Sequence, residues 1–220
     1  MPYRPADGDG GTNRVPQWQC CLSQSFPGRG SLVKMALRAD GMANHGSEHF
    51  TPSDLMLVRA AEGWVGLGDW KSAQEELEKI TPELQVNPSV LKLRWEICAM
   101  GKQWDEGVEI GRLLVEAEPD ASFGWINRSY ALRRASGGGL QAAYDALKPA
   151  VDRLKDLQQV FFNLACYACQ LDRLVEARQW WSKCFSVAAR GGSTSRLKKA
   201  GLAEADLEPL WEEIKRASES

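Results

Sequence analysis

The apolar and polar positions of this chain divide it into two zones. Residues 1–50 are rich in Gly, Pro, Ser and Asp and carry no run of helical or alternating spacing. Such a segment buries too little apolar area to offset its chain entropy, so it is expected to be a largely disordered extension. From Thr51 onward, helical pieces of about 11 to 15 residues follow one another. Short breaks separate them at Gly68-Asp69, Gly101-Lys102 and Gly137-Gly138-Gly139. Thr51-Pro52-Ser53-Asp54 combines a capping Thr, a Pro at the first helical position and an acid in the first turn. Asn87-Pro88-Ser89 repeats that signal, and Asp120 precedes a third run. No segment alternates as a strand would, so the second zone is expected to be all-α.

The helical pieces repeat. Trp70 and Trp104 each open a second helix and lie 34 residues apart; two inserted residues bring the register to Leu140, and a further 34 lead to Leu174. The same offsets align Ala73, Gly107, Ala143 and Ala177, then Leu77, Gly111, Leu147 and Trp181, then Ile80, Leu114, Ala150 and Cys184. In the preceding helices Ala61, Trp95, Ala131 and Ala165 fall in register. One helical pair cannot cover its own apolar face, so several must stack.

A 34-residue period of antiparallel helix pairs, with a small residue at the crossing, resembles the tetratricopeptide repeat. GLGDWKSAQEELEKITP carries the family's Gly-Asp-aromatic turn and its small residue three places later, and LACYACQLDRLVEARQWW carries the same elements. Pro119 stands where the family often ends a repeat. The resemblance implies a right-handed α-solenoid of four repeats, 54–87, 88–121, 122–157 and 158–191, closed by a helical cap over 193–220. Ser193 or Thr194 would start a short helix ending near Gly201. A final amphipathic helix from Asp206 would bury Leu207, Leu210, Trp211 and Ile214. The combination of LACYAC, EARQWW and DLEPLW resembles the closing segment of bacterial members. The second repeat departs from the pattern: Gly107 and Gly111 should weaken its second helix by about 1 kcal/mol each relative to Ala.

In this family the first helix of each repeat lines a concave groove for an extended peptide or a partner helix. By register the groove candidates are Val58 and Glu62, Lys92 and Glu96, Arg128 and Leu132, and Phe162, Cys166, Cys169 and Gln170, with Asn163 flanking them. Members that clamp a terminal carboxylate use Lys, Asn and Arg in successive repeats. Lys92, Arg128 and Asn163 supply fragments of that set, but Glu62 stands where the first Asn belongs. A mildly polar groove with Phe162 as an apolar anchor suits a partner helix or a hydrophobic peptide instead.

The cysteines pose the main rival. Cys166 and Cys169 form a C-x-x-C pair, and Cys184 follows on the next helix. A redox pair normally opens a helix, where the dipole lowers the thiol pKa. Phe161-Phe162-Asn163-Leu164-Ala165 runs ahead of this one and places it inside a helix, a poor geometry for a disulfide. Structural zinc needs four ligands, and no fourth lies nearby in sequence. Core or groove-lining thiols are the default, with a thiol- or metal-dependent protein built on Cys166, Cys169 and Cys184 as the alternative.

Other chemistry is weaker. His45-Gly-Ser-Glu48-His49 matches a zinc-protease string by letter, yet it sits beside Gly46 and Pro52 rather than on a stiff helix. The triple glycine lacks the Lys-Ser/Thr of a phosphate loop. Vicinal Cys20-Cys21 belongs to the extension. With two histidines, both in the extension, no catalytic residue, metal or cofactor is expected, and the nine tryptophans suit helix crossings.

Composition narrows the rest. The 220 residues are 44% hydrophobic, enough for one core or one repeat array, and their net charge of −2 comes from mixed signs. Nucleic acid would need a concentrated basic face, and membranes a basic run beside an apolar helix; neither is present. The first ten residues lack a secretory pattern, so a cytoplasmic protein is expected. Met35 and Met42 raise the hypothesis of a natural start within the first zone. The resulting expectation is a non-catalytic scaffold binding a peptide or partner helix. A structural subunit that self-associates through the same groove is the further alternative.

Overall fold

Helix starts fall where the capping chemistry favours them. In the computed structural model, which describes residues 50–216, helix α1 (Pro52–Leu67) opens on a reciprocal capping box: Thr51 Oγ1 accepts from the Asp54 amide, and Asp54 accepts from the Thr51 amide. The Asp54 side chain also accepts from the amide and hydroxyl of Thr81 at 3.0 and 2.9 Å, which ties the start of α1 to the chain beyond the next helix. Gly68 ends α1 at φ 85, a left-handed conformation that suits glycine. Expectations about the extension, including Met35, Met42, Cys20-Cys21 and His45 to His49, lie outside the described residues.

The succession of helices follows the 34-residue register. Helix α2 (Trp70–Glu78) is capped by Asp69, and a 3-10 turn at Pro82–Val86 leads to α3 (Pro88–Met100), capped by Asn87. Then come α4 (Trp104–Ala117), α5 (Ser122–Leu132) and α6 (Leu140–Leu147). A single turn, α7 (Ala150–Arg153), precedes α8 (Gln158–Gln170) and α9 (Leu174–Arg190). The chain closes with α10 (Thr194–Ala203), a 3-10 turn at Ala205–Leu210 and α11 (Trp211–Arg216). Trp70, Trp104, Leu140 and Leu174 each begin a second helix, as the register requires. No strand occurs among the described residues, and the architecture is an all-α solenoid of helix pairs.

Three details differ from the sequence reading. Asp120 does not cap α5: Ala121 occupies that position without a side-chain bond, and Asp120 instead meets Arg153 at 3.4 Å on the surface. The third second helix is cut short, because Pro149 has no amide to continue the ladder beyond α6. The final helix is split into the 3-10 turn and α11, with Pro209 inside the turn; Leu207, Leu210 and Ile214 are nonetheless fully buried.

The core is a chain of apolar clusters rather than one centre. Ala61, Ala73, Leu77, Val90 and Leu93 join α1, α2 and α3. Trp95, Cys98, Ile110 and Leu114 join α3 and α4, with Phe123 and Tyr130 edge-on to Trp95. A larger cluster runs from Trp125 through α6, α8 and α9 to Leu207, Leu210 and Ile214.

Gly111 of α4 reverses its expected meaning, and Gly124 of α5 acts with it. A Cβ on Gly111 would stand 2.7 Å from the Cβ and 2.8 Å from the Cα of Arg128, and one on Gly124 would stand 2.8 Å from the Val115 amide nitrogen. Helices α4 and α5 thus approach backbone to backbone. The helix-propensity cost of Gly111 is offset by contacts that any side chain there would exclude. No helix among the described residues is long and apolar enough to cross a membrane.

Candidate interaction surface

The first helices α1, α3, α5 and α8 carry the register positions singled out from the sequence, and these positions fall into two groups. Toward the N-terminal end lie Val58, Glu62, Lys92, Glu96, Arg128 and Leu132. Val58 is buried against the first cluster, and the other five are half-buried. Lys92 is held by Glu118 at 2.7 Å, a partner on the loop after α4 that the repeat pattern gave no means of finding. Arg128 lies against Gly111, its Nε buried with no hydrogen-bond acceptor among the described residues.

Glu62 stands one repeat from Glu96 and its charge acts on that carboxyl. Burial lifts the Glu96 carboxyl to about 7, and the neighbouring Glu62 charge adds to the lift. Among the described residues no Lys or Arg forms an ion pair with Glu96. Two carboxylates on adjacent first helices thus make an acidic spot beside Lys92.

The second group belongs to α8 and is differently placed. Phe162 is 9% exposed and packs on Trp181 with ring centroids 6.2 Å apart; Trp181 in turn lies beside Gly201, whose added Cβ would meet it at 2.5 Å. Cys166 and Cys169 are buried in the same cluster as Leu207, Leu210 and Ile214. The chain's own closing segment therefore packs onto α8, and Arg133 fastens it by meeting Asp206 at 3.1 Å. Phe162, expected as an apolar anchor of the groove, is buried against Trp181 in the cluster that Leu207, Leu210 and Ile214 also join. Asn163 and Gln170 remain half-buried.

The thiols follow from this burial. Cys166 and Cys169 lie in the last turns of α8, away from the dipole end that activates a thiol. Burial, with Asp206 nearby, pushes Cys169 up to about 11, and burial pushes Cys184 up to about 12. The Cys184 thiol donates to the Gln158 carbonyl at 3.4 Å. All four described cysteines are buried and none of them forms a disulfide, and no group of three potential ligands could hold a metal among the described residues.

No family model and no curated protein matches the sequence. Solved structures do. A crystal structure of MamA protein superposes with a TM-score of 0.56 at 16% identity, over 74% of this chain and 87% of that one. A MamA RS-1 double mutant gives 0.56 at 17% identity, over 80% and 92%. A thermophilic TPR protein of Thermus thermophilus aligns with a TM-score of 0.49 at 16% identity, over 74% and 96%. The first two likenesses concern the path of the helices, and together with the 34-residue register they give this chain a tetratricopeptide-like fold.

Proposed function

We propose that the chain is a non-catalytic protein-interaction module. It takes a peptide or partner helix along the first helices α1, α3 and α5, with Val58, Glu62, Lys92, Glu96, Arg128 and Leu132 in contact. The observation that carries this reading is the Glu62–Glu96 pair. A carboxyl raised to about 7 by burial and a like charge costs the fold stability, and charges held at such cost cluster at working surfaces. A Lys or Arg of the partner entering between them would relieve the repulsion and gain a charge-assisted hydrogen bond. Recognition therefore favours an amphipathic segment with a basic residue, apolar groups facing Leu132, and an acidic residue near Arg128.

Four repeats, 54–87 to 158–191, form the working array in this reading, and the segment after residue 192 serves as its cap. The thiol- or metal-dependent alternative gains nothing from Cys169 and Cys184, whose pKa values are raised rather than lowered. The experiment is capture of partners by the immobilised full chain from lysate of its native source. The controls are Glu62→Lys with Glu96→Lys, and separately Lys92→Glu with Arg128→Glu, each checked by circular dichroism. Proteins held by the parent and lost from both controls support the reading. Proteins retained equally by all three chains overturn it.

A further inference from the structure

Helix α1 leaves bare a face that the later first helices bury. Met56 and Leu67 are 70% and 78% exposed and Trp64 is 38% exposed, whereas Val90 and Val160, the register equivalents of Met56, are fully buried. Val90 is covered by Ala73 and Leu77 of α2, the helix before its own; among the described residues no helix precedes α1 to do the same. Met56, Ala60, Gly63 and Leu67 recur at intervals of four, three and four, the spacing of a two-helix seam. Glu62 falls on the other side of α1 in helical projection, so this stripe is distinct from the Glu62–Glu96 surface.

Two glycines set the stripe further apart. Gly63 and Gly66 should each weaken α1 by about 1 kcal/mol relative to Ala. At Gly111 and Gly124 that cost is matched by the close approach of another helix, but a Cβ on Gly63 or Gly66 would meet no atom within 4 Å. Arg59, exposed on the same helix, forms no ion pair among the described residues, and the last turn of α1 holds no basic residue beside its carbonyls. We propose that α1 pairs with α1 of a second copy of the chain, antiparallel about a two-fold axis at Ala60 and Gly63.

The occupant follows from the seam itself, which reads the same in both directions: large apolar, small, small, large apolar. In an antiparallel pair Met56 faces Leu67 of the second copy and Ala60 faces its Gly63, the self-complementarity that a two-fold contact demands. The small pair lets the backbones close, as Gly111 and Gly124 do between α4 and α5. Like flanks adjoin in this arrangement, so Trp64 meets its own counterpart on one side. On the other, Arg59 lies beside Gly66 of the second copy, near the carbonyl end of that helix, where a cation is favoured. Area sets the strength. The 16 residues of α1 rise about 24 Å, and a strip about 10 Å wide offers roughly 240 Å² per copy. A stable complex needs roughly 800 Å² per partner, so this dimer is a transient one with a Kd of about 0.1–1 mM.

The test is sedimentation equilibrium of the full chain from about 10 µM to about 1 mM, joined to thiol crosslinking of cysteine variants. The expected result is a mass that climbs from one chain towards two. Gly63→Arg puts its side chain into open space in the single chain, so helical circular dichroism should be retained while dimer affinity falls about tenfold or more; Leu67→Glu should do the same. Oxidising Met56→Cys mixed with Leu67→Cys should join the two chains at those positions about tenfold more than Met56→Cys alone, because antiparallel pairing sets the two copies of residue 56 about 16 Å apart. A mass fixed at one chain over the whole range overturns the proposal. So does a dimer indifferent to either Gly63→Arg or Leu67→Glu, or a position 56 that crosslinks to itself as readily as to position 67. The capture experiment above reads the other side of α1, so either reading can fail alone.

Discussion

The two ends of the helical array are secured by different physics. At the C-terminal end Leu207, Leu210 and Ile214, each at most 1% exposed, close the cluster that contains Phe162, Cys166 and Trp181. At the N-terminal end α1 keeps Met56 and Leu67 bare, and a buried carboxylate pins it: Asp54, 2% exposed, receives four hydrogen bonds from Thr51 and Thr81. The C-terminal end rests chiefly on area removed from water, whereas the N-terminal end adds a buried polar anchor to the contacts of Val58 and Ala61. An array of this kind can therefore loosen from one end without loosening from the other, according to the stress applied.

The largest expected effect lies at the apolar end. Leu207→Ala should destabilise by about 2–5 kcal/mol through lost burial and a residual cavity. Hydrogen exchange should then rise first in α8 and α10, with α1 unchanged; loss of protection starting in α1 would break the contrast. At the polar end, Asp54→Ala should cost about 2–3 kcal/mol, since it leaves the Thr51 and Thr81 donors without their acceptor. Thermal denaturation measures the loss, and exchange in α1 should lead it.

Acidity separates the ends further. Burial alone would raise the Asp54 carboxyl, but hydrogen bonds from Thr51 and Thr81 outweigh it and bring the pKa down to about 2. Its contribution is complete above the ordinary aspartate value and is lost as pH falls towards 2, so acid below the ordinary aspartate value should free α1 before the closing segment. Glu96 has the opposite sign. Its carboxyl is raised to about 7, so its contribution is greatest below the ordinary glutamate range and fades as pH rises through 7. Glu96→Gln should flatten that window and stabilise the protein by about 1–2 kcal/mol at pH 8. A denaturation midpoint followed from pH 4 to 8 in both chains reads the difference. The smallest effect is Asp206→Asn, which should lose at most about 1 kcal/mol because the Arg133 pair is partly solvated.

Much of this architecture was legible before any coordinates. The starts at Trp70, Trp104, Leu140 and Leu174 follow from periodicity, because a repeat that must stack on its neighbour has little freedom in register. Thr51 and Asn87 were readable as caps because their bonds are local. What escaped was long-range. Nothing in the sequence brings Asp206 to Arg133, Thr81 to Asp54 or Glu118 to Lys92, since each contact depends on how two elements pack. Phe162 shows the same limit at the candidate surface. Its register matched Val58, Lys92 and Arg128, but the closing segment covers α8 and the repeat pattern says nothing of that. Gly107 and Gly111 were readable only as weak helix formers, because propensity counts the cost of a missing side chain and not the space it yields, and Gly124 was not singled out at all.

That shared space binds Gly111 and Gly124 into one heritable unit. At each site a new Cβ would strike the opposing helix within 3 Å, and the atoms struck include backbone. Neither codon can drift to a larger residue without displacing a whole helix and everything stacked beyond it. Lineages of this chain should therefore keep both glycines, or abandon both at once along with the angle between the two halves of the array.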